Sequence, residues 1–221
     1  FLQHQWNECT WGGFDATFVH SELQRDELLA RLPGARILCV PHFVPDPLPL
    51  TEPSAGTRAW FSNGRRCLVV FGFITPSKGQ LEAIETFAHI SGRDSSLHLL
   101  LAGEARTADD RFYENLCRKR VEESGLEGRV TFGGFVPKAD IPFVMKHALV
   151  VIAPFLETTG SGSIPTALAY GAPVLASGLA LNLELAARVS PPALGTLTEE
   201  DLVAAIEGRG LEPLREGALK Y

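Results

Sequence analysis

The chain has 221 residues, of which 45% are hydrophobic and 21% charged, a composition typical of a globular protein. Its 26 acidic residues outnumber the 20 basic ones, and the net charge of -6 excludes an electrostatic surface for nonspecific binding of nucleic acid. The apolar runs are much shorter than the roughly 20 residues of a membrane-spanning helix, so the sequence does not indicate membrane association. Cys9, Cys39, Cys67 and Cys117 form no close pair, which predicts buried free thiols in a cytoplasmic protein.

The first part of the chain predicts a strand, a helix and a second strand. A short apolar run covers residues 14–20. Ser21 and Gln24 have the spacing of a capping box and predict a helix that continues to Leu32, where Pro33 and Gly34 end it. Residues 36–40 then read as a strand.

A proline-rich stretch follows and lacks any regular hydrophobic period. Such a composition is typical of a semi-rigid linker. We therefore expect a small first domain over residues 1–45, a linker over 46–66 and a second domain over 67–221.

In the second domain, apolar runs of strand length alternate with helical segments. The predicted strands are residues 67–73, 97–102, 130–132, 149–154 and 173–176. The predicted helices lie near residues 78–91, 110–124, 138–147, 163–170 and 182–188. This repetition indicates a parallel sheet, and continuous apolar strands indicate helices on both of its faces. The expected fold is an open, doubly wound α/β sheet.

Sheets of this kind bind ligands at the carboxyl ends of their strands. Four predicted loops at that edge are rich in glycine or small polar residues, namely 72–79, 103–106, 133–137 and 157–163. Because all four follow parallel strands, we expect them to converge on one site.

The loop before the helix at 163–170 contains the sequence Gly160-Ser161-Gly162-Ser163, and Pro165 lies in the first turn of that helix. We expect Ser163 to be the N-cap. The free amides at such a helix start either bind an anion or belong to an ordinary capped turn. The chain has no Gly-Lys-Ser/Thr of a P-loop, which disfavours ATP hydrolysis.

Two further loop features have two interpretations each. Lys78 begins a predicted helix, where the dipole opposes a cation, so it either neutralises a bound diphosphate or is a solvated surface lysine. The turn at 133–137 either forms a backbone ledge for a flat base or is a plain turn between strand and helix.

Several catalytic motifs are absent from the sequence. It contains no Gly-x-Ser-x-Gly, no His-Glu-x-x-His, no Asp-x-Asp and no Gly-x-Gly-x-x-Gly after the first strand of the second domain. These absences argue against a serine hydrolase, a zinc peptidase, a metal–diphosphate site built on paired aspartates and a dinucleotide oxidoreductase.

Six short blocks resemble, in order and spacing, the nucleotide-sugar-binding half of GT-B-fold retaining glycosyltransferases of family four (group 1). The blocks are Val19-His-Ser-Glu with Val40-Pro-His, Val70-Phe-Gly-Phe-Ile-Thr-Pro-Ser-Lys-Gly, Leu99-Leu-Leu-Ala-Gly-Glu, Val130-Thr-Phe-Gly-Gly-Phe-Val-Pro, Val151-Ile-Ala-Pro, and Ala167-Leu-Ala-Tyr-Gly-Ala-Pro-Val-Leu-Ala-Ser. The first block is similar to the end of the acceptor half of such enzymes. The others are similar to their donor half.

The resemblance implies a Rossmann-like donor domain. Such a domain binds a nucleoside-diphosphate sugar without a metal or other cofactor, and the sugar passes to a carbohydrate or glycoconjugate acceptor with retention. The resemblance implies catalytic roles for Lys78 and Glu157. It implies that the donor and its phosphates bind at Gly72, Phe73, Lys78, Gly160, Ser161, Gly162 and Ser163. It implies ribose binding at Thr166 and base binding at Phe135, Val136 and Pro137.

The chain also departs from the family pattern. Phe73 stands where the family has an arginine, and the paired glutamates of the family fall at Thr158 and Thr166, with Glu157 one residue from the first. These departures leave two alternatives open: a non-catalytic nucleotide- or partner-binding module, and a GT-B-type nucleotide-sugar epimerase. Because only about 45 residues precede the linker, we expect a truncated chain that is inactive by itself.

Overall fold

The computed structural model describes residues 14–40, 42, 46–158, 160–188 and 192–220. The chain divides into two compact units, Phe1–Phe43 and Val44–Tyr221. The division falls close to the predicted start of the linker.

The smaller unit contains a strand, a helix and a second strand, as predicted. These are β1 (Thr17–Val19), α1 (Glu22–Arg31) and β2 (Ile37–Cys39), and the two strands pair in parallel. Ser21 caps α1, because its hydroxyl accepts a hydrogen bond from the backbone N of Gln24 at 3.0 Å. The side chain of Gln24 accepts from the backbone N of His20 at 3.1 Å. This bond takes the place of the bond to the Ser21 backbone that a capping box would make.

The prediction of residues 46–66 as an unpacked linker is wrong for its second half. This half contains a short helix, α2 (Ala55–Trp60), within the larger unit. The carboxylate of Asp140, which is only 4% exposed, accepts hydrogen bonds from the Ser54 backbone N (3.2 Å), the Ser54 hydroxyl (2.6 Å) and the Thr57 hydroxyl (2.7 Å). The anchor lies more than 80 positions away along the chain, so the local pattern could not reveal it.

The larger unit is built on a six-stranded sheet in which every neighbouring pair is parallel. Its strands are β3 (Arg66–Phe71), β4 (Leu97–Ala102), β5 (Val130–Phe132), β6 (Ala148–Ala153), β7 (Val174–Ala176) and β8 (Gly195–Thr196). Their order across the sheet is β5-β4-β3-β6-β7-β8. The five predicted strands are confirmed, two of them with the predicted bounds and the others with ends that differ by one or two residues.

Helices connect these strands and follow the last of them. They are α3 (Gln80–Ile90), α4 (Ala108–Glu123), α5 (Ile141–His147), α6 (Ser163–Ala169), α7 (Ala180–Ala186), α8 (Glu199–Ile206) and α9 (Leu211–Lys220). The five predicted helices correspond to α3 to α7. No element is predicted beyond residue 188, so β8, α8 and α9 are additions to the predicted fold.

The core has two layers, one on each face of the sheet, which confirms the predicted doubly wound α/β fold. In β3, Leu68 and Val70 pack into a cluster with Phe87 of α3, whereas the intervening Val69 packs on the other face with Met145 of α5. Because both faces are covered, neighbouring residues of the strand are all buried. This explains the continuous apolar runs in the sequence.

Three cysteines lie among the described residues, and all are free thiols. Cys67 and Cys117 are buried as predicted, and burial raises the pKa of the Cys67 thiol to about 11 and that of Cys117 to about 12. Cys39 is partly exposed, contrary to the prediction, and Cys9 lies outside the described residues. Among the described residues, none of the helices is both long and apolar enough to span a membrane.

Candidate functional site

The strand order reverses direction between β3 and β6. From β3 the chain continues to β4 on one side, whereas β6 lies on the other side of β3. The connections above such a reversal diverge and leave a crevice at the carboxyl ends of the strands, where sheets of this type bind ligands. The loop after β3 and the loop after β6 therefore border the same crevice.

Lys78 brings these two loops together. It ends a short 3-10 turn, Pro76–Lys78, and its Nζ donates a hydrogen bond to the hydroxyl of Ser161 at 3.1 Å. The same ammonium lies 4.0 Å from the ring centroid of Phe155, a cation–π contact that no sequence pattern indicates. Burial lowers the pKa of Lys78 below 10.5, with no contribution from any charged neighbour among the described residues. Lys78 is thus a partly buried cation that contacts only neutral groups there.

The Gly160–Ser163 segment forms the other wall of the crevice. The hydroxyls of Ser161 and Ser163 lie 2.7 Å apart, so one donates a hydrogen bond to the other. A Cβ placed on Gly72 would lie 3.8 Å from the Cβ of Ser163, which brings the end of β3 against this segment. Four of the predicted donor-site residues, Gly72, Lys78, Ser161 and Ser163, therefore lie together.

The expected N-cap at Ser163 is wrong. Gly162 is the N-cap of α6 and has no side chain that could cap it, and Ser163 is the first helical residue. The backbone N of Ser163 donates to the Ser161 hydroxyl at 3.4 Å. The physical reason is that the backbone is already helical at Gly162, with φ -70° and ψ -15°, so Ser163 lies inside the first turn, and its hydroxyl pairs with that of Ser161.

Two glycines allow the loops to meet closely at this edge. A Cβ on Gly79, which has a φ of +69°, would lie 1.9 Å from the carbonyl oxygen of Pro154 at the end of β6. A Cβ on Gly103 would lie 1.7 Å from the carbonyl oxygen of Gly72. No side chain fits at either distance, so the backbones after β3, β4 and β6 pack directly against each other.

On the β4 side of the crevice, Phe73 supports an arginine. Phe73 is 48% exposed, and the guanidinium carbon of Arg106 lies 4.7 Å from its ring centroid. Both residues line a cleft of about 350 Å³ together with Thr75, Thr107 and Asp110. Arg106 belongs to one of the four predicted loops, and the sequence indicates no role for it. The contact joins residues on two different loops, and no local motif marks it.

The other predicted site residues are less closely gathered. The hydroxyl of Thr166 donates to the carbonyl oxygen of Gly162 at 2.6 Å, so only its lone pairs remain for a ligand. Glu157 is exposed, on the loop after β6. Phe135 is 64% exposed beyond the end of β5, two strands from β3, whereas the side chain of Val136 is buried. Pro137 begins the turn before α5.

The titratable groups that could bind a metal are dispersed in this part of the molecule. Among the described residues, no three His, Cys, Asp or Glu side chains are close enough to hold a metal ion together.

A family model described as glycosyl transferases group 1 matches residues 65–207, more than half of the chain. The 2-deoxystreptamine glucosyltransferase of Streptomyces kanamyceticus is 28% identical over 123 residues, which cover 56% of this chain and 30% of that protein. The mannosylfructose-phosphate synthase of Agrobacterium fabrum is 29% identical over 113 residues, 50% of this chain and 25% of that protein. The chain therefore matches less than a third of the length of these relatives.

Solved structures show the same fold. The structure of Anabaena Alr3699/HepE in complex with UDP and glucose has a TM-score of 0.72 at 18% identity and covers 93% of this chain and 57% of that chain. The sucrose-phosphate synthase of Thermosynechococcus elongatus has a TM-score of 0.71 at 20% identity and covers 95% of this chain and 54% of that chain. With the crevice at the strand reversal and the family match over residues 65–207, this chain belongs to the group 1 glycosyl transferases.

Proposed function

We propose that the Val44–Tyr221 unit is the donor-binding part of a retaining glycosyltransferase and that it binds a nucleoside-diphosphate sugar in the crevice between β3 and β6. One observation carries the proposal: Lys78, a partly buried cation that contacts only neutral groups among the described residues, hydrogen-bonds to Ser161 across that crevice. A cation that has lost part of its hydration is stabilised by an anion. A diphosphate at the strand ends supplies that anion.

In the proposed reaction, the bond between the anomeric carbon of the sugar and the diphosphate oxygen breaks, and its electron pair stays on the diphosphate. The acceptor hydroxyl forms the new bond on the same face of the sugar, and its proton passes to the departing phosphate oxygen. Lys78 stabilises the negative charge that develops on the leaving group. In this proposal Lys78, and not a metal ion, stabilises the charge on the departing diphosphate.

The remaining predicted residues have supporting roles in the proposal. The backbone of Gly72 and the segment Gly160–Ser163 contact the phosphates, because small residues let an anion approach the main chain. Thr166 accepts a hydrogen bond from a ribose hydroxyl, the role that its remaining lone pairs permit. The turn Phe135–Pro137 binds the base.

Glu157 remains a proposed catalytic carboxylate on the loop after β6. The acceptor is proposed to be a carbohydrate or glycoconjugate. UDP and glucose in the Anabaena Alr3699/HepE structure, together with the glucosyltransferase relative, support a nucleotide-sugar donor. The proposed location of the reaction is the cytoplasm.

The proposal is tested by calorimetric titration of this chain with UDP, GDP, ADP and their common sugar conjugates. We expect saturable binding of one nucleoside diphosphate and a large loss of affinity in Lys78→Ala. The matched control is Lys146→Ala. Lys146 is an exposed lysine at the end of α5, just before β6 begins, and therefore lies at the amino ends of the strands, away from the crevice. No binding by the wild-type chain, or equal loss in the two variants, would contradict the proposal.

A second candidate is a binding module that holds the nucleotide without transferring sugar. Phe73 and Thr166 favour it, because neither supplies a charge, and the hydroxyl proton of Thr166 is already donated within its own helix. Incubating the chain with the nucleotide sugar that it binds, followed by product analysis, separates the candidates. Released or transferred sugar supports the enzyme, and epimerised sugar supports an epimerase. Because this chain is expected to be inactive by itself, unchanged donor supports the module only when a chain that also carries an acceptor domain leaves the donor unchanged.

A further inference from the structure

The pair of Phe73 and Arg106 lies on the side of β3 opposite to Lys78. The loop that carries Lys78 faces β6 through its contacts with Pro154 and Ser161, whereas Arg106 comes from the loop after β4. Neighbouring strands of a sheet are about 4.8 Å apart, so an arginine side chain spans the distance from β4 to β3 easily. The end of β3 thus has one cation on each side.

The backbone around Phe73 is fixed by hydrogen bonds on both sides of this residue. The backbone N of Gly72 donates to the carbonyl oxygen of Ala102 at 3.1 Å, and that of Ile74 donates to Glu104 at 3.1 Å, so the loops after β3 and β4 are joined on both sides of Phe73. The carbonyl oxygen of Phe73 also accepts a hydrogen bond from Nε2 of the buried Gln80 at 2.9 Å. The ring on which the guanidinium rests is therefore held at a defined place.

The guanidinium has no ion-pair partner among the described residues. Its observed contact is the face of the Phe73 ring. Asp110 lines the same cleft, but its carboxylate accepts hydrogen bonds from the backbone N of Thr107 at 3.0 Å and from the side chain of Thr75, and it closes the capping box of α4. Burial raises the pKa of Asp110, but hydrogen bonds from Thr107, from Thr75 and from the backbone of Arg106 outweigh it and lower the pKa, and the charge of the Arg106 guanidinium is not among the causes. Arg106 thus keeps its charge available to the cleft.

The charge of the proposed donor requires more than one cation. The diphosphate of a nucleotide sugar carries about two negative charges at neutral pH, and Lys78 supplies only one positive charge. We propose that Arg106, supported by the ring of Phe73, binds the diphosphate from the β4 side as the second cation of the site. This inference rests on the proposed function. Phe73 acts as a positioning residue, since its ring holds the guanidinium without competing for its N–H donors.

The test compares the affinities of four forms of this chain for UDP and for UMP: wild type, Arg106→Gln, Lys78→Ala and Arg93→Gln. If another nucleoside diphosphate binds best, that nucleotide and its monophosphate replace the uridine pair. Arg93 is the matched control, because it is an exposed arginine just before β4 starts, at the amino ends of the strands and away from the crevice. We expect Arg106→Gln to lower UDP affinity about tenfold and UMP affinity less than threefold, with no change in the midpoint of thermal unfolding.

A second variant keeps the test independent of side effects of Arg106→Gln. In the Arg106→Gln background, Phe73→Arg places a guanidinium on the neighbouring loop. We expect the UDP affinity of this double variant to reach at least a third of the wild-type affinity. Unchanged UDP affinity in Arg106→Gln, an equal loss for UMP, or an equal loss in Arg93→Gln overturns the role of Arg106. If Lys78→Ala still weakens UDP binding in that case, the proposed function stands. If the wild type binds no nucleoside diphosphate, both fail.

Discussion

Two charged groups of the larger unit, one buried and one partly buried, have different surroundings. The carboxylate of Asp140 accepts hydrogen bonds from the Ser54 backbone N and from the hydroxyls of Ser54 and Thr57. The ammonium of Lys78 donates one described hydrogen bond to a neutral hydroxyl and otherwise lies on the ring of Phe155. The protein thus supplies several hydrogen-bond donors to the carboxylate of Asp140, whereas it supplies no anion to the ammonium of Lys78 among the described residues.

The pKa shifts express the same difference. Burial raises the pKa of Asp140, but the hydrogen bonds from Ser54 and Thr57 outweigh it, so the pKa lies below the usual 3.8 and the charged form is favoured. For Lys78, burial lowers the pKa and nothing offsets it, so the charged form is disfavoured. A satisfied buried charge stabilises the fold, whereas an unsatisfied one is available to a ligand. The comparison therefore separates a structural site from a binding site.

The largest expected effect is on the structural side. Replacing Asp140 with alanine leaves the donors of Ser54 and Thr57 without an acceptor, and we expect the free energy of unfolding to fall by about 3 kcal/mol. Asp140→Asn keeps one acceptor oxygen and should cost about half as much. Urea denaturation of the variants measures this. The control is Asp109→Ala, which removes an exposed carboxylate. A loss below about 1 kcal/mol in Asp140→Ala would contradict a structural role.

His98 extends the comparison to pH. It is 3% exposed, its Nε2 lies 2.9 Å from the Thr131 hydroxyl, and its pKa is lowered to about 4, mainly by burial and also by Arg65 and Arg129. Between pH 6.5 and 4 the unfolded chain binds a proton at His98 that the folded protein does not, so the stability falls as the pH falls. The loss approaches about 3 kcal/mol at pH 4.

This prediction is checked by urea denaturation at several pH values between 7 and 4.5. His98→Gln should flatten the profile, because the side chain no longer titrates. The exposed His147 offers the matched control, and His147→Gln should keep the wild-type slope. Identical slopes in the two variants would show that His98 does not carry the pH dependence.

Lys78 should behave in the opposite way to Asp140. Because its folded pKa is lowered, the charge opposes folding at neutral pH, and Lys78→Met should leave the free energy of unfolding unchanged or raise it by up to about 1 kcal/mol. The same variant should lower nucleoside-diphosphate affinity about 30-fold, the loss of one charge-assisted contact. Urea denaturation and calorimetric titration of one preparation measure both quantities. Lower stability with unchanged affinity would reverse the comparison between the two sites.

Much of the fold could be predicted because its signals are local. The alternation of apolar runs and helical periods is visible within short windows, which gave the five strands from β3 to β7 and the helices between them. β8 has only two residues, Gly195–Thr196, and such a strand shows no period. The helix Ala55–Trp60 escaped prediction because its anchor, Asp140, is distant in the chain.

The site was predictable as a set of loops but not as a set of contacts. The resemblance to a family pointed to Lys78, Ser161 and Ser163, and the structure brings them together. The helical backbone at Gly162, which excludes Ser163 as a cap, and the pairing of the two serine hydroxyls depend on loop geometry that spacing does not express. The stacking of Arg106 on Phe73 joins two loops across neighbouring strands. Phe73 stands where the family has an arginine, and only its contact with Arg106 gives this difference a physical explanation.

The smallest expected effect concerns the hydroxyl that Lys78 contacts. Ser161→Ala removes the hydrogen bond to Nζ and the partner of the Ser163 hydroxyl, but it leaves the ammonium and the backbone amides in place. We therefore expect nucleoside-diphosphate affinity to fall about threefold, with stability changed by less than about 0.5 kcal/mol. Calorimetric titration next to Ser95→Ala, which removes an exposed hydroxyl before β4, measures the difference. A loss as large as that of Lys78→Met would mean that the hydroxyl, and not the charge, holds the diphosphate.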